Sequence, residues 1–151
     1  MEKPIIQIKN VITALLKGID PDIDVFYEEI KGTEEKHGLK EEETYYFVDI
    51  MPNGNKTVDR YFTDMGILVD IAYHEKGESN TAYLIKGAEI DEVFRPVFSF
   101  GDRHITVNDA NMKVVDHVLH YSFAINFLHA REQTIEFEPM GDLEVAIKKG
   151  V

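Results

Sequence analysis

The stretch that decides the fold is YFTDMGILVDIAYH, residues 61–74, in which large apolar residues alternate with smaller or polar ones. A period of two along the whole stretch is typical of a long β-strand that turns one face to the core. The odd-numbered positions supply most of that face, with Tyr61, Met65, Ile67, Val69, Ile71 and Tyr73. Residues 112–130, MKVVDHVLHYSFAINFLHA, alternate in the same way and predict a second long strand.

Two amphipathic stretches predict helices. Pro4 suits the first turn of a helix over residues 4–17, whose apolar residues recur at the spacing of one face: Ile5, Ile8, Ile12 and Leu15. Ser79 or Asn80 can cap a second helix over 80–95, which should end where Pro96 disfavours helical geometry in the preceding residue. Further segments predict strands at 23–29, 44–51, 104–109 and 143–147.

The predicted order of elements is α-β-β-β-α-β-β-β, in a single domain over residues 1–151. We expect an α+β fold with a mainly antiparallel sheet and both helices packed on one of its faces. Two turns are predicted inside this order. Pro52-Asn53-Gly54-Asn55 should close the second strand, and Ala110-Asn111 should form a hairpin turn.

Composition excludes several classes of protein. The chain has 151 residues, a formal charge of -12 and no cysteine, which excludes disulfides, thiolate zinc sites and cysteine nucleophiles. The acidic balance argues against a general nucleic-acid binder, because phosphate affinity comes from clustered Lys and Arg. No apolar run approaches the roughly 18–20 residues of a membrane span. Residues 1–10, MEKPIIQIKN, lack the apolar core of a signal peptide. We therefore expect a soluble intracellular protein without a membrane partner.

The sequence carries no recognisable active site. It has no Gly-rich phosphate loop, no G-x-S-x-G elbow and no H-E-x-x-H pair. His74 and His120 could meet across a sheet and, with Asp70 or Asp116, form a two-His-one-carboxylate metal site. Histidine is nevertheless common on half-exposed strands, and no metal-ligand spacing supports the site. We predict no catalytic residue, cofactor or metal, while a small-molecule-binding module that uses these histidines stays as an alternative.

The length of the predicted strands suggests assembly instead. Strands over 60–74 and 112–130 would each span about 45 Å or more, and strands that overshoot a core leave edges exposed unless another chain covers them. The short alternating strand 143–147 is a candidate edge, through Leu143, Val145 and Ile147. Residues 30–43 predict a long exposed loop, and its charged residues are candidate interface positions: Lys31, Glu34, Glu35, Lys36, Lys40 and Glu41.

Five stretches of this chain resemble the tail terminator (tail completion) proteins of long-tailed bacteriophages and prophages. They are DIDVFYEEI at 22–30, YYFVDIMP at 45–52, RYFTDMGILVDIAYHE at 60–75, VVDHVLHYSFAINF at 114–127 and MGDLEVAIKKG at 140–150. The resemblance touches most of the chain. Its most specific part is the Asp-x-x-Leu-His-aromatic strand, followed by the closing Met-x-x-Leu segment.

The resemblance implies a structural protein without enzymatic activity. Such a protein forms a ring, usually a hexamer, on the head-proximal end of the tail tube, where it stops tube polymerisation and docks onto the head. The implied partners are further copies of the chain, the tail-tube protein and a head-completion or connector protein. The implied location is the host cytoplasm during assembly and then the tail neck of the virion. Another head–tail adaptor or a tail-tube protein is the alternative. The acidic charge could line the lumen of the ring and repel DNA, or it could keep the chain soluble.

Overall fold

A computed structural model describes residues 3–27, 44–77 and 79–131 of the chain. The elements follow in the order α1 (Pro4–Ile19), β1 (Asp24–Tyr27), β2 (Tyr45–Thr57), β3 (Phe62–His74), α2 (Asn80–Phe94), β4 (Val97–Phe100), β5 (Arg103–Thr106), β6 (Ala110–Val115) and β7 (Val118–Ala130). The α+β class and the mainly antiparallel sheet are confirmed. Both helices begin at the predicted residue and end within two residues of the predicted end.

Five of the strands form one sheet in the order β1-β2-β3-β7-β6, and β4 pairs with β5 in a separate hairpin. β1 runs parallel to β2, with Asp24 opposite Tyr45, and β6 runs antiparallel to β7. Contacts among the described residues define two compact units. The larger lies within 1–55 and 65–127, and the smaller lies within 56–64 and 128–151.

The smaller unit is held by a turn and by the end of β7. Asp59 Oδ1 accepts the backbone N–H groups of Tyr61 (2.8 Å) and Phe62 (2.9 Å), a side-chain turn that reverses the chain after β2. Arg131 then donates its backbone N–H to the Tyr61 carbonyl at 2.8 Å and its Nη2 to Thr57 Oγ1 at 3.3 Å.

The core of the larger unit lies between the helices and one face of the sheet. α1 buries Ile8, Ile12 and Leu16, and α2 buries Tyr83, Ile90 and Phe94. The odd-numbered residues of β3 and β7 face them, as the alternation of these strands predicts: Ile67, Val69, Ile71, Tyr73, Leu119, Tyr121, Phe123, Ile125 and Phe127. Each fully buried aliphatic or aromatic side chain stabilises the fold by roughly 1.5–3 kcal/mol, so this layer is the main source of stability.

The prediction of a second long strand over residues 112–130 is wrong. Residues 112–130 form the end of β6, a tight turn at Asp116 and His117, and β7. Asp116 (φ 53°) and His117 (φ 66°) adopt the left-handed conformation of a two-residue hairpin turn, and Val115 pairs with Val118 across it.

Two other local predictions also differ from the structure. The Asn53-Gly54 pair does not close β2, because the strand continues to Thr57 with Gly54 at φ 105°. Ala110-Asn111 is not a turn but the start of β6. The sequence reasoning also missed the short strand β4 that follows Pro96.

Candidate assembly surfaces

One partly buried ion pair ties the end of α1 to α2. The Lys86 ammonium lies 2.5 Å from Asp20 Oδ2 and 3.0 Å from Glu89 Oε1, and it stands over the Tyr73 ring at 5.1 Å. The Tyr46 hydroxyl donates to the same Asp20 oxygen at 2.6 Å. Burial alone would lower the pKa of Lys86, but the hydrogen bonds and charges of the two carboxylates outweigh it and raise that pKa. These groups satisfy one another, so the cluster is structural and offers no reactive group.

A second polar cluster joins α2 to the sheet. Asp91 accepts hydrogen bonds from Arg95 Nε (2.7 Å) and from the Tyr121 hydroxyl (2.7 Å). The hydrogen bond from Arg95 is the main cause that lowers the pKa of Asp91. Burial, followed by the hydrogen bond to Asp91, raises the pKa of Tyr121. The carboxylate is thus held ionised as an anchor for its two neighbours.

The histidines proposed for a metal site lie on the sheet face away from the helices, here called the distal face. His120 Nδ1 is 3.1 Å from Asp70 Oδ2, while the His74 ring stacks on Tyr45 with ring centroids 5.2 Å apart. Asp116 lies in the β6–β7 turn. In the described part of the chain, no three His, Cys, Asp or Glu side chains are grouped so as to hold a metal ion. The structure therefore brings His120 and Asp70 together without forming the postulated ligand set.

The first candidate surface is the β6 edge, defined as Met112, Lys113, Val114 and Val115. β6 is the last strand of the five-stranded sheet, and every residue from 111 to 115 is exposed. In an antiparallel pair, opposite residues point to the same face. Met112 and Val114 oppose the buried Tyr121 and Leu119, so they point to the helix side. Lys113 and Val115 point to the distal face.

The second candidate surface is a groove of about 260 Å³ beneath the start of α1, called here the α1–β2 groove. Its lining is mainly apolar and comes from α1, β1 and β2: Ile5, Ile6, Lys9, Tyr27, Val48, Asp49 and Ile50. Lys9 stands over the Tyr27 ring at 4.9 Å, and the Tyr27 hydroxyl donates to the Lys9 carbonyl at 3.0 Å. These contacts fix the mouth of the groove.

The interface positions predicted from sequence lie outside the described residues. This applies to the charged segment Lys31, Glu34, Glu35, Lys36, Lys40 and Glu41 and to the edge residues Leu143, Val145 and Ile147. Both sets stay predictions. Sequence reasoning missed the β6 edge because it assigned those residues to the start of a single long strand over 112–130. The available signal was the Asp-His pair between two valine-containing segments, since Asp and His tolerate the left-handed conformation better than most residues.

The described residues form an α+β fold with exposed apolar edges, and their buried charged side chains are held in structural pairs. Such a fold defines a protein suited to assembly. The chain belongs to the phage tail terminator protein family, whose family model matches residues 7–136. This match confirms the resemblance carried by the strand motifs and makes the chain a structural protein of phage tails. No curated protein matches the chain. Within the residues that the structure describes, no helix combines the length and apolarity needed to cross a membrane.

Proposed function

We propose that the chain forms a hexameric ring on the head-proximal end of the completed tail tube. There it stops tube polymerisation and provides the surface that joins the tail to the head. The observation that carries this proposal is the family match over residues 7–136. The partners are further copies of the chain, the tail-tube protein and a head-completion or connector protein.

The mechanism is capping, with no enzymatic turnover. A ring bound at the tube end occupies the surface on which the next tube subunit would dock. Affinity of this kind comes from buried apolar area and from strand addition at exposed edges. The β6 edge and the α1–β2 groove supply both kinds of surface. The chain would act in the host cytoplasm during assembly and stay in the tail neck of the virion.

Two further segments belong to this proposal as contacts with neighbouring copies or with the tube. One is the charged segment with Lys31, Glu34, Glu35, Lys36, Lys40 and Glu41. The other is the alternating segment with Leu143, Val145 and Ile147. The whole chain, residues 1–151, acts as one domain in the ring.

Deletion of the gene for this chain, with complementation from a plasmid, tests the proposal. Without the protein, electron microscopy should show tails of uncontrolled length that fail to join heads, and complementation should restore uniform tails. Uniform, head-joined tails in the deletion would refute the terminator function. Purified protein that polymerises into long filaments would instead indicate a tail-tube protein, because a terminator stops at one ring.

A further inference from the structure

We propose that copies of the chain join edge to edge, with the β6 edge of one copy added beside β2 of the next, at the α1–β2 groove. The inference rests on the proposed ring, because it assigns the two surfaces through which that ring closes. The two surfaces differ from each other, so the contact is head-to-tail. A head-to-tail contact closes into a ring when its repeated rotation completes a full turn, and otherwise it gives an open filament.

The β6 edge is built to pair with another strand. Sheet edges that must stay unpaired are usually blunted by prolines, charged side chains or bulges. β6 has no proline and one charged residue, Lys113, between exposed apolar side chains. The left-handed residues Asp116 and His117 hold β6 tightly against β7. Among residues 3–27, 44–77 and 79–131, no strand pairs with its outer side. Within those described residues, this surface is an ordered strand whose outer hydrogen-bonding groups have no strand beside them.

Helix α2 widens the apolar part of this edge. Gly87 lets Met112 lie directly against the helix, since a Cβ at position 87 would collide with the Met112 sulfur. On the same helix, Leu84 is 72% exposed. Met112, Val114 and Leu84 thus offer exposed apolar area on the helix side of the sheet.

The groove matches the side chains of the β6 edge on both faces of the sheet, with apolar residues on the helix side and a carboxylate on the distal side. Among the described residues, β1 pairs with β2 from Tyr45 to Val48, and the next residues of β2, Asp49 and Ile50, line the groove. Tyr46 and Val48 are buried towards the helices, and alternation therefore places Ile50 on that side and Asp49 on the distal side. An added β6 strand would bring Met112 and Val114 to the apolar side of the groove. It would bring Lys113 towards the Asp49 carboxylate.

The same geometry limits the length of the contact. Pro52 has no backbone N–H and cannot donate to an added ladder, so pairing is confined to the few residues of β2 between Val48 and Pro52. A short ladder gives a weak contact between two free copies. Because identical copies of charge -12 also repel each other, ring closure should depend on the tail tube as a template.

Cysteine cross-linking in assembled tails tests the assignment, since the natural chain has no cysteine. Tails are assembled with the double variant Asp49→Cys/Lys113→Cys, treated with a short bis-maleimide, and separated by denaturing electrophoresis. We expect a ladder of covalent multimers that ends at the hexamer. Each single-cysteine variant should stay monomeric, because its cysteine faces no cysteine in the next copy.

The possible results separate the two proposals. If the unmodified protein is absent from purified tails, the proposed function fails, and this inference fails with it. If the protein is present but the double variant stays monomeric, the edge assignment alone is overturned. Dimers from Lys113→Cys alone would show that two β6 edges pair around a two-fold axis, which also overturns the head-to-tail contact.

A matched pair of charge substitutions checks the surface without cross-linking. Val114 on β6 and Val97 on β4 are equally exposed, at 45% and 46%, so aspartate at either position should leave the monomer folded by circular dichroism. Val114→Asp should give tails of uncontrolled length, and Val97→Asp should give normal tails. Lys113→Glu should also impair length control, and Asp49→Lys in the same chain should restore it. Normal tails from both folded variants, Val114→Asp and Lys113→Glu, would contradict the proposal.

Discussion

Replacing Asp20 with alanine should destabilise the fold far more than replacing its partner Lys86 with methionine, although both changes break the same ion pair. Asp20→Ala removes the acceptor of two short hydrogen bonds, from the Lys86 ammonium at 2.5 Å and from the Tyr46 hydroxyl at 2.6 Å. It leaves the ammonium, whose residue is only 9% exposed, beside the half-exposed Glu89 alone. Removing one partner of a buried pair is costly because the remaining charge stays desolvated.

The magnitude follows from these contacts. Hydrogen bonds to charged groups contribute about 1.5–3 kcal/mol each, and Glu89 retains part of the pairing, so Asp20→Ala should lower the free energy of unfolding by about 3 kcal/mol. Lys86→Met replaces a buried cation by an apolar chain of similar length, a kind of change that is often nearly neutral. It leaves Asp20 with the Tyr46 hydroxyl and partial solvent contact, so a loss of about 1 kcal/mol or less is expected. Tyr46→Phe should cost about 1 kcal/mol.

Urea unfolding followed by circular dichroism measures these differences, with the slope m checked for each variant. Equal losses for Asp20→Ala and Lys86→Met, within about 0.5 kcal/mol, would refute the reasoning about the stranded charge. A double variant, Asp20→Ala/Lys86→Met, should recover part of the loss caused by Asp20→Ala, because the desolvated ammonium is gone. The pH dependence has a definite sign. The pKa of Lys86 is raised in the fold, so its contribution is complete below the unfolded pKa of about 10.4 and is lost as pH rises through the folded value.

Three further perturbations test other parts of the structure. Gly66→Ala should lower the free energy of unfolding by about 1–3 kcal/mol, because the new Cβ would lie 2.6 Å from the Asn53 carbonyl oxygen. Gly18→Ala in α1 meets no atom within 4 Å and should raise that free energy by up to about 1 kcal/mol. Urea unfolding measures both changes. The pKa of Asp91 is lowered in the fold, so its carboxylate contributes stability above the unfolded pKa of about 3.9, and this contribution is lost as pH falls through the folded pKa. Asp91→Asn should therefore weaken the loss of thermal stability at acid pH. An unchanged loss would contradict this. Val145→Pro should give tails of uncontrolled length that fail to join heads in electron microscopy but leave the monomer's circular dichroism unchanged. Normal tails from the folded variant would remove this segment as a contact.

The elements with a strong period could be predicted from sequence because burial imposes that period directly. α1, α2 and β3 all lie in or beside the core, and their apolar spacing located them to within two residues. The hairpin of β6 and β7 could not be found in the same way. A two-residue turn shifts which residues share a face, so Met112 and Val114 lie on the same side as Tyr121. Apolar residues flank this turn on both sides, and no Gly or Pro marks it.

The prediction of a turn at Asn53-Gly54 was wrong for the opposite reason. Its composition favours a tight turn, but β2 continues beside β3 to Thr57 and keeps the chain in the sheet. Gly54 supplies the positive φ that the strand needs there. The assembly surfaces depend on such tertiary choices. The α1–β2 groove joins residues from α1, β1 and β2, which no local pattern can bring together.

The tight turn at Asp116 and His117 also sets an order for folding. β6 and β7 are neighbours in sequence, and hairpins of this kind form within about 1–10 μs. The parallel pairing of β1 with β2 must instead close a long stretch of chain, from Asp24 to Tyr45, which is slower. In refolding from denaturant, we therefore expect β6 to pair with β7 before the groove that is proposed to receive β6 is complete. A copy can accept a neighbour only after the pairing of β1 with β2 completes its own groove, so we expect folding of each copy to precede its entry into the ring.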